Sequence, residues 1–226
     1  MTAKYLDIEQ WNRKEHFHFF SAMDQPFFGL VAEVECGVAL QKCKKEGSSF
    51  FLYYLHKCLV AVNAIENLKY RIEEDRVRIY DTIHVSPTVG RADHTFGFSF
   101  MPYYDNFEQF AQLALAEMQA VQQKQGLCLS DAANRPDVVH FSALPWVAFT
   151  HLSHAGVIKN SGSVPKISVG KLMEKNGRYY LPISIHLHHA LADGYHAGQF
   201  YERLEATIDG WVNPIIYYLD FFCASR

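Results

Sequence analysis

"KISVGKLMEKNGRYYLPISIHLHHALADGYHAGQF", residues 166–200, holds two strand-like runs, a tight-turn pair and the start of a helix. Asn176–Gly177 separates the two runs, and a type I′ turn needs positive φ at both central residues, which Asn and Gly tolerate best; the pattern predicts a β-hairpin. Alternation along the second run places Ile183, Ile185, Leu187 and His189 on one face and Ser184, His186 and His188 on the other. His189 thus ends an apolar stripe, where burial favours a neutral imidazole fit to act as a base. Gly194 lets the chain turn into a helix that Gly210 ends.

Working outward, residues 29–37 alternate Leu30, Ala32, Val34 and Cys36 against Glu33 and Glu35, as a half-exposed strand does. Residues 48–68 read as a helix apolar on nearly every side, hence covered on more than one face. Residues 70–83 read as two short strands around an acidic turn, and Phe96, Phe98 and Phe100 fall on one strand face. The clearest helix spans 105–126, capped by Asp105 or Asn106, striped by Phe107, Phe110, Ala114, Met118 and Val121, and stopped by Gly126. Long hairpins mixed with helices predict an α+β fold or an α/β sandwich with a mixed sheet, the latter preferred, formed by residues 1–226 as a single domain. Two elements are expected to be absent: a nucleotide-phosphate loop, since neither glycine-rich fingerprint occurs, and a membrane span, since no apolar run is long enough.

The chain has 226 residues, 49% of them apolar, enough for a sizeable core. A formal charge of −3 excludes the basic excess that nucleic-acid binding needs. The 17 Phe and 13 Tyr indicate a bulky core or an aromatic-lined pocket. Cys36, Cys43, Cys58, Cys128 and Cys223 form no CxxC pair, which argues against a disulfide framework and a thiolate zinc site. "MTAKYLDIEQWNRKEHF" lacks the apolar core of a signal peptide, so a cytoplasmic protein is expected.

Residues 186–200 allow three readings. His186 and His188 on one face supply two metal ligands, with a third donor still to be found. The histidines instead close a strand and Asp193 merely caps the next helix. Or His189 is a general base, which requires an oxyanion donor elsewhere in the chain.

"HHALADG" (188–194) matches HHxxxDG and resembles the signature of CoA-dependent acyltransferases. "WNRKEHFHFF" (11–20), "RIYDTIHVSPTV" (78–89) and "FSALPWVAFT" (141–150) resemble segments of the chloramphenicol acetyltransferase family, and the spacing from Ser142 to His189 agrees with it. The resemblance covers residues 5–208 and leaves 209–226 as a C-terminal extension. It implies a homotrimer with active sites between subunits, acetyl-CoA as co-substrate, no metal, and chloramphenicol or a similar small molecule as acceptor, with no nucleic acid or membrane partner. By position it makes His189 the general base, Ser142 the oxyanion donor, and Asp193 and Arg13 a supporting ion pair. It places Phe20, Leu152, Ser168, Phe96 and Phe98 toward the acceptor, and Lys171 and Trp146 toward CoA. Phe20, Leu152, His154 and Gly162 depart from the family pattern, so another hydroxylated acceptor is a second reading. A trimeric protein that binds CoA without turnover is a third.

Overall fold

The computed structural model describes residues 4–155 and 162–209. The first half runs β1 (Lys4–Tyr5), α1 (Lys14–Ser21), β2 (Phe27–Glu35), α2 (Gly37–Glu46), α3 (Phe50–Asn63), β3 (Tyr70–Glu73), β4 (Arg76–Ile79), β5 (His84–Gly90) and β6 (Phe96–Phe98). Then follow α4 (Phe107–Gln122), β7 (Val138–Ala143), β8 (Lys166–Val169), β9 (Met173–Lys175), β10 (Arg178–His188) and α5 (Gly194–Ile208). The main sheet has the order β2-β10-β8-β7-β5-β6, with β9 beside the start of β10; β1, β4 and β3 form a small second sheet. β5, β7 and β8 are parallel and the other pairings antiparallel, giving the expected mixed sheet.

Asn176 and Gly177 adopt φ of 52° and 76°, and the β9–β10 hairpin closes around them as the sequence predicts. One face of β10 presents Leu181, Ile183, Ile185 and Leu187, all buried under α3 and α5 with Leu55, Leu59, Phe200 and Leu204. Fully burying one such side chain stabilises the fold by roughly 1.5–3 kcal/mol. Helix α3 has buried residues around most of its circumference, from Leu52 to Val62, and Ser49 Oγ caps it by accepting from the Leu52 N–H. It stops short of the predicted residue 68. The Asn63 side chain donates to the Leu59 and Ile83 carbonyls and accepts from the Ile83 N–H, tying the helix end to the approach of β5.

Of the two proposed caps for α4, Asn106 serves, accepting from the Gln109 N–H at 2.8 Å, while Asp105 accepts from the Tyr103 hydroxyl. Three further expectations need correction. Leu30 is 43% exposed, because among the described residues β2 is an edge strand with a sheet neighbour on one side only. Phe100 lies beyond β6, although Gly97 and Ser99 do point inward between the three phenylalanines. Gly194 is the first residue of α5 without positive φ, and a Cβ there would meet nothing within 4 Å; the extended backbone of Asp193 makes the turn. Gly210 and the remaining tail lie outside the described residues.

Candidate active site

β10 ends at His188, and the histidine that becomes buried is His188, 7% exposed, rather than His189. Burial, then the neighbouring His189, pushes His188 down to about 4. Its Nδ1 accepts from the Ala190 N–H at 3.3 Å, so it closes the strand end. His189, one residue past the strand, is half-buried, and its backbone N–H donates to the Pro26 carbonyl at 2.8 Å.

Aromatic rings fix the His189 imidazole. Phe20, from α1, stacks on it with centroids 3.8 Å apart and planes 6° apart, and Phe28 leans against it at 4.6 Å. Such contacts restrict ring rotation without occupying a ring nitrogen. Arg13, at the head of α1, forms an ion pair with Asp193 and donates to the His189 carbonyl at 3.4 Å. Asp193 is also the N-cap of α5, accepting from the Tyr195 N–H at 3.0 Å within a capping box with His196. The cap and the ion pair are therefore both present at one carboxylate. Burial works to raise the Asp193 carboxyl, but the bond and charge of Arg13, with His196, hold it at about 2.

A second group lies elsewhere on the sheet. Ser184, Ser168 and Ser142 are level with one another across β10, β8 and β7, and Thr88 of β5 donates to Ser142 Oγ at 3.5 Å. Phe98 pairs with Thr88 and extends this row. Ser168 Oγ is buried without a hydrogen-bond partner among the described residues. His189 stands about 16 Å beyond this row along β10 and about 10 Å across from Ser142, so one chain does not place them on one reacting carbon.

Leu152 and His154 lie in a third group beside His186 and Lys166. Gly162 is exposed next to residues 156–161, which lie outside the described residues. Trp146, 80% exposed, and Lys171 sit on the loops after β7 and β8, joined through the Lys171 N–H to the Val147 carbonyl at 2.8 Å. His186 and His188 do share a face, but His186 Nε2 contacts the Leu152 carbonyl, and no cluster of three metal-ligating side chains occurs among the described residues. Thr88 and Lys166 were not singled out from the sequence. Their signal is the period-two spacing Ser86–Thr88 and Lys166–Ser168, which puts each beside a serine on the open sheet face.

A family model described as chloramphenicol acetyltransferase matches residues 1–205. A chloramphenicol acetyltransferase from Klebsiella sp is 26% identical over 207 residues, covering 91% of this chain and 94% of that relative. One from Bacillus pumilus is 26% identical, covering 95% and 98%. A solved chloramphenicol acetyltransferase structure superposes with a TM-score of 0.84 at 32% identity, over 90% of this chain and 98% of that one. A probable dihydrolipoamide acetyltransferase from Listeria monocytogenes shares the fold at a TM-score of 0.63 and 14% identity.

Proposed function

Because the chain belongs to the chloramphenicol acetyltransferase family, we propose that it transfers an acetyl group from acetyl-CoA to a hydroxyl of chloramphenicol. A role in antibiotic resistance follows from that acceptor. The observation that carries the reading is His189, held face-on by Phe20 and anchored at its backbone by Arg13. His189 takes the proton of the acceptor hydroxyl as the oxygen attacks the thioester carbonyl, and returns it to the departing CoA sulfur. A positioned base of this kind contributes ~10²–10⁴-fold. Ser142 Oγ donates to the oxyanion, an interaction worth ~10²–10³-fold. Arg13 and Asp193 act on the loop that carries His189 and do not touch the reacting atoms.

The separation of His189 from Ser142 supports a site shared between copies of the chain, with His189 of one facing Ser142 and Ser168 of the next, as in a homotrimer. Trp146 and Lys171, both exposed on loops joined by a backbone hydrogen bond, suit the nucleotide end of CoA. Residues 1–226 act as one acyltransferase domain, in the cytoplasm, without a metal. No described helix is long and apolar enough to cross a membrane.

Thiol release from acetyl-CoA in the presence of chloramphenicol tests the transfer. Release no faster than with His189→Ala defeats it. Mixing His189→Ala and Ser142→Ala chains tests the shared site: hybrid assemblies regain activity if the two residues come from different copies, and remain inactive if they do not. A second reading, another hydroxylated acceptor, draws on the polar surroundings of Leu152 and His154, and a screen of alcohols in the same assay separates it from the first.

A further inference from the structure

On the open face of the sheet a cavity of about 500 Å³ lies against β2, β8 and β10, a size that suits a small molecule. Its polar wall is built from strand register. His186 of β10 is level with Lys166 of β8, both in the lining, and His140 of β7 continues the row outside the cavity. This row is one pleat repeat, about 7 Å, from the row of Ser184, Ser168 and Ser142. Gly29 makes room for it, since a Cβ there would stand 2.3 Å from His186 Nε2. The His154 ring meets the His186 ring edge to face at 4.5 Å.

Two ring nitrogens in this wall, His154 Nε2 and His186 Nδ1, are buried and have no hydrogen-bond partner among the described residues. His186 Nε2 lies 3.1 Å from the Leu152 carbonyl and therefore carries a proton. Its Nδ1 is a bare lone pair when the ring is neutral and becomes a donor when it is charged. Lys166 Nζ sits over the Phe27 ring at 5.1 Å, and among the described residues no carboxylate pairs with it, Asp24 of the cavity lining included. Burial pushes Lys166 down; burial first, then His186, Lys166 and His140, push His154 down to about 4. The empty wall thus gathers groups that gain from a negative charge. Lys166 donates to an anion directly, and each ring donates to it once protonated, so an anion gains from all three groups together.

We propose that this cavity is an anion subsite, holding the carboxylate or phosphate group of a small hydroxylated acceptor one pleat away from the serine row. The acceptor's hydroxyl rests on the second reading given above, an acceptor other than chloramphenicol, which carries no carboxylate or phosphate; the subsite itself is measured without turnover. Binding draws protons from solvent onto His154 and His186, facing Lys166, His140, His151 and Asp24.

The test follows the histidine ring resonances of the full chain through a pH titration, with inorganic phosphate in one arm and acetate in another, against chloride at equal ionic strength. In at least one arm the midpoints of His154 and His186 rise by about one unit, a tenfold coupling, and the arm with the larger rise identifies the preferred group. Lys166→Met abolishes the rise and Lys166→Arg keeps it. His154→Phe, which leaves Lys166 in place, weakens anion affinity about tenfold. Equal titrations in phosphate, acetate and chloride overturn the subsite, as does an undiminished rise in Lys166→Met. Thiol release from chloramphenicol without an anion effect defeats the subsite alone. A persistent anion effect without thiol release from any alcohol defeats the transfer reading alone.

Discussion

The two faces of β10 differ in where their partners are. Ile183, Ile185 and Leu187 meet α3 and α5 of the same chain and are fully buried there. On the opposite face Ser184 makes one 3.4 Å bond to the Ser168 carbonyl, while Ser168 Oγ and His186 Nδ1 have no partner among the described residues. Apolar contacts close within the chain because they need only volume and shape. Buried hydrogen-bonding groups need directed partners, and those left over point to what a ligand or a second copy supplies. One face thus carries stability and the other carries recognition, with His189 at the strand end where the two meet.

The largest effect expected is on chemistry without stability: His189→Ala should cut thiol release by ~10²–10⁴-fold and leave the melting temperature within a few degrees. A comparable loss of stability would mean that this position serves the core. Next, Ile185→Ala should cost ~2–5 kcal/mol, against ~0.5–1.5 kcal/mol for Ser184→Ala, its neighbour on the other face. Urea unfolding of the two variants measures this, and equal losses would break the contrast between the faces.

The ion pair below His189 has a smaller, pH-dependent effect. Asp193 is held at about 2 in the folded chain, below the ordinary 3.8. The folded state therefore binds fewer protons, so this stabilisation is present above about pH 4 and is lost as pH falls toward 2. Acid unfolding of Arg13→Met should show on the order of 1–2 kcal/mol less of this dependence, discounted for partial exposure. An unchanged acid profile would mean that the pair contributes little. Smallest of all, Phe20→Leu removes a stacked ring worth ~0.5–1.5 kcal/mol, and should slow thiol release no more than about tenfold while Ile185 packing is untouched.

The hairpin and the helices were legible in the sequence because each depends on local chemistry, whereas the role given to His189 rests on the family resemblance. Asn176–Gly177 declares its turn and the Ile183–Ile185–Leu187 spacing its buried face, while the cap of α4 was narrowed only to Asp105 or Asn106. Arg13 and Asp193, far apart in the chain, came together only through the family resemblance, since no local pattern joins them. The burial of His188 instead of His189 was not legible, because alternation holds only while the strand continues and β10 ends one residue earlier. Lys166 and Thr88 escaped notice for a related reason. Each becomes meaningful through the residue level with it on a neighbouring strand, and register is a tertiary property.

β10 lies between β2 and β8, although β2 is near the beginning of the chain and β10 near the end. During synthesis, Phe27–Glu35 therefore waits for Arg178–His188 to emerge before it gains the sheet neighbour it has among the described residues. Until then it is an unpaired strand open to wrong pairings. Folding is accordingly governed by contacts of long sequence separation, which form slowly. The insertion that completes the sheet is also the one that delivers His189 to Phe20, so assembly of the proposed catalytic end cannot precede closure of the fold.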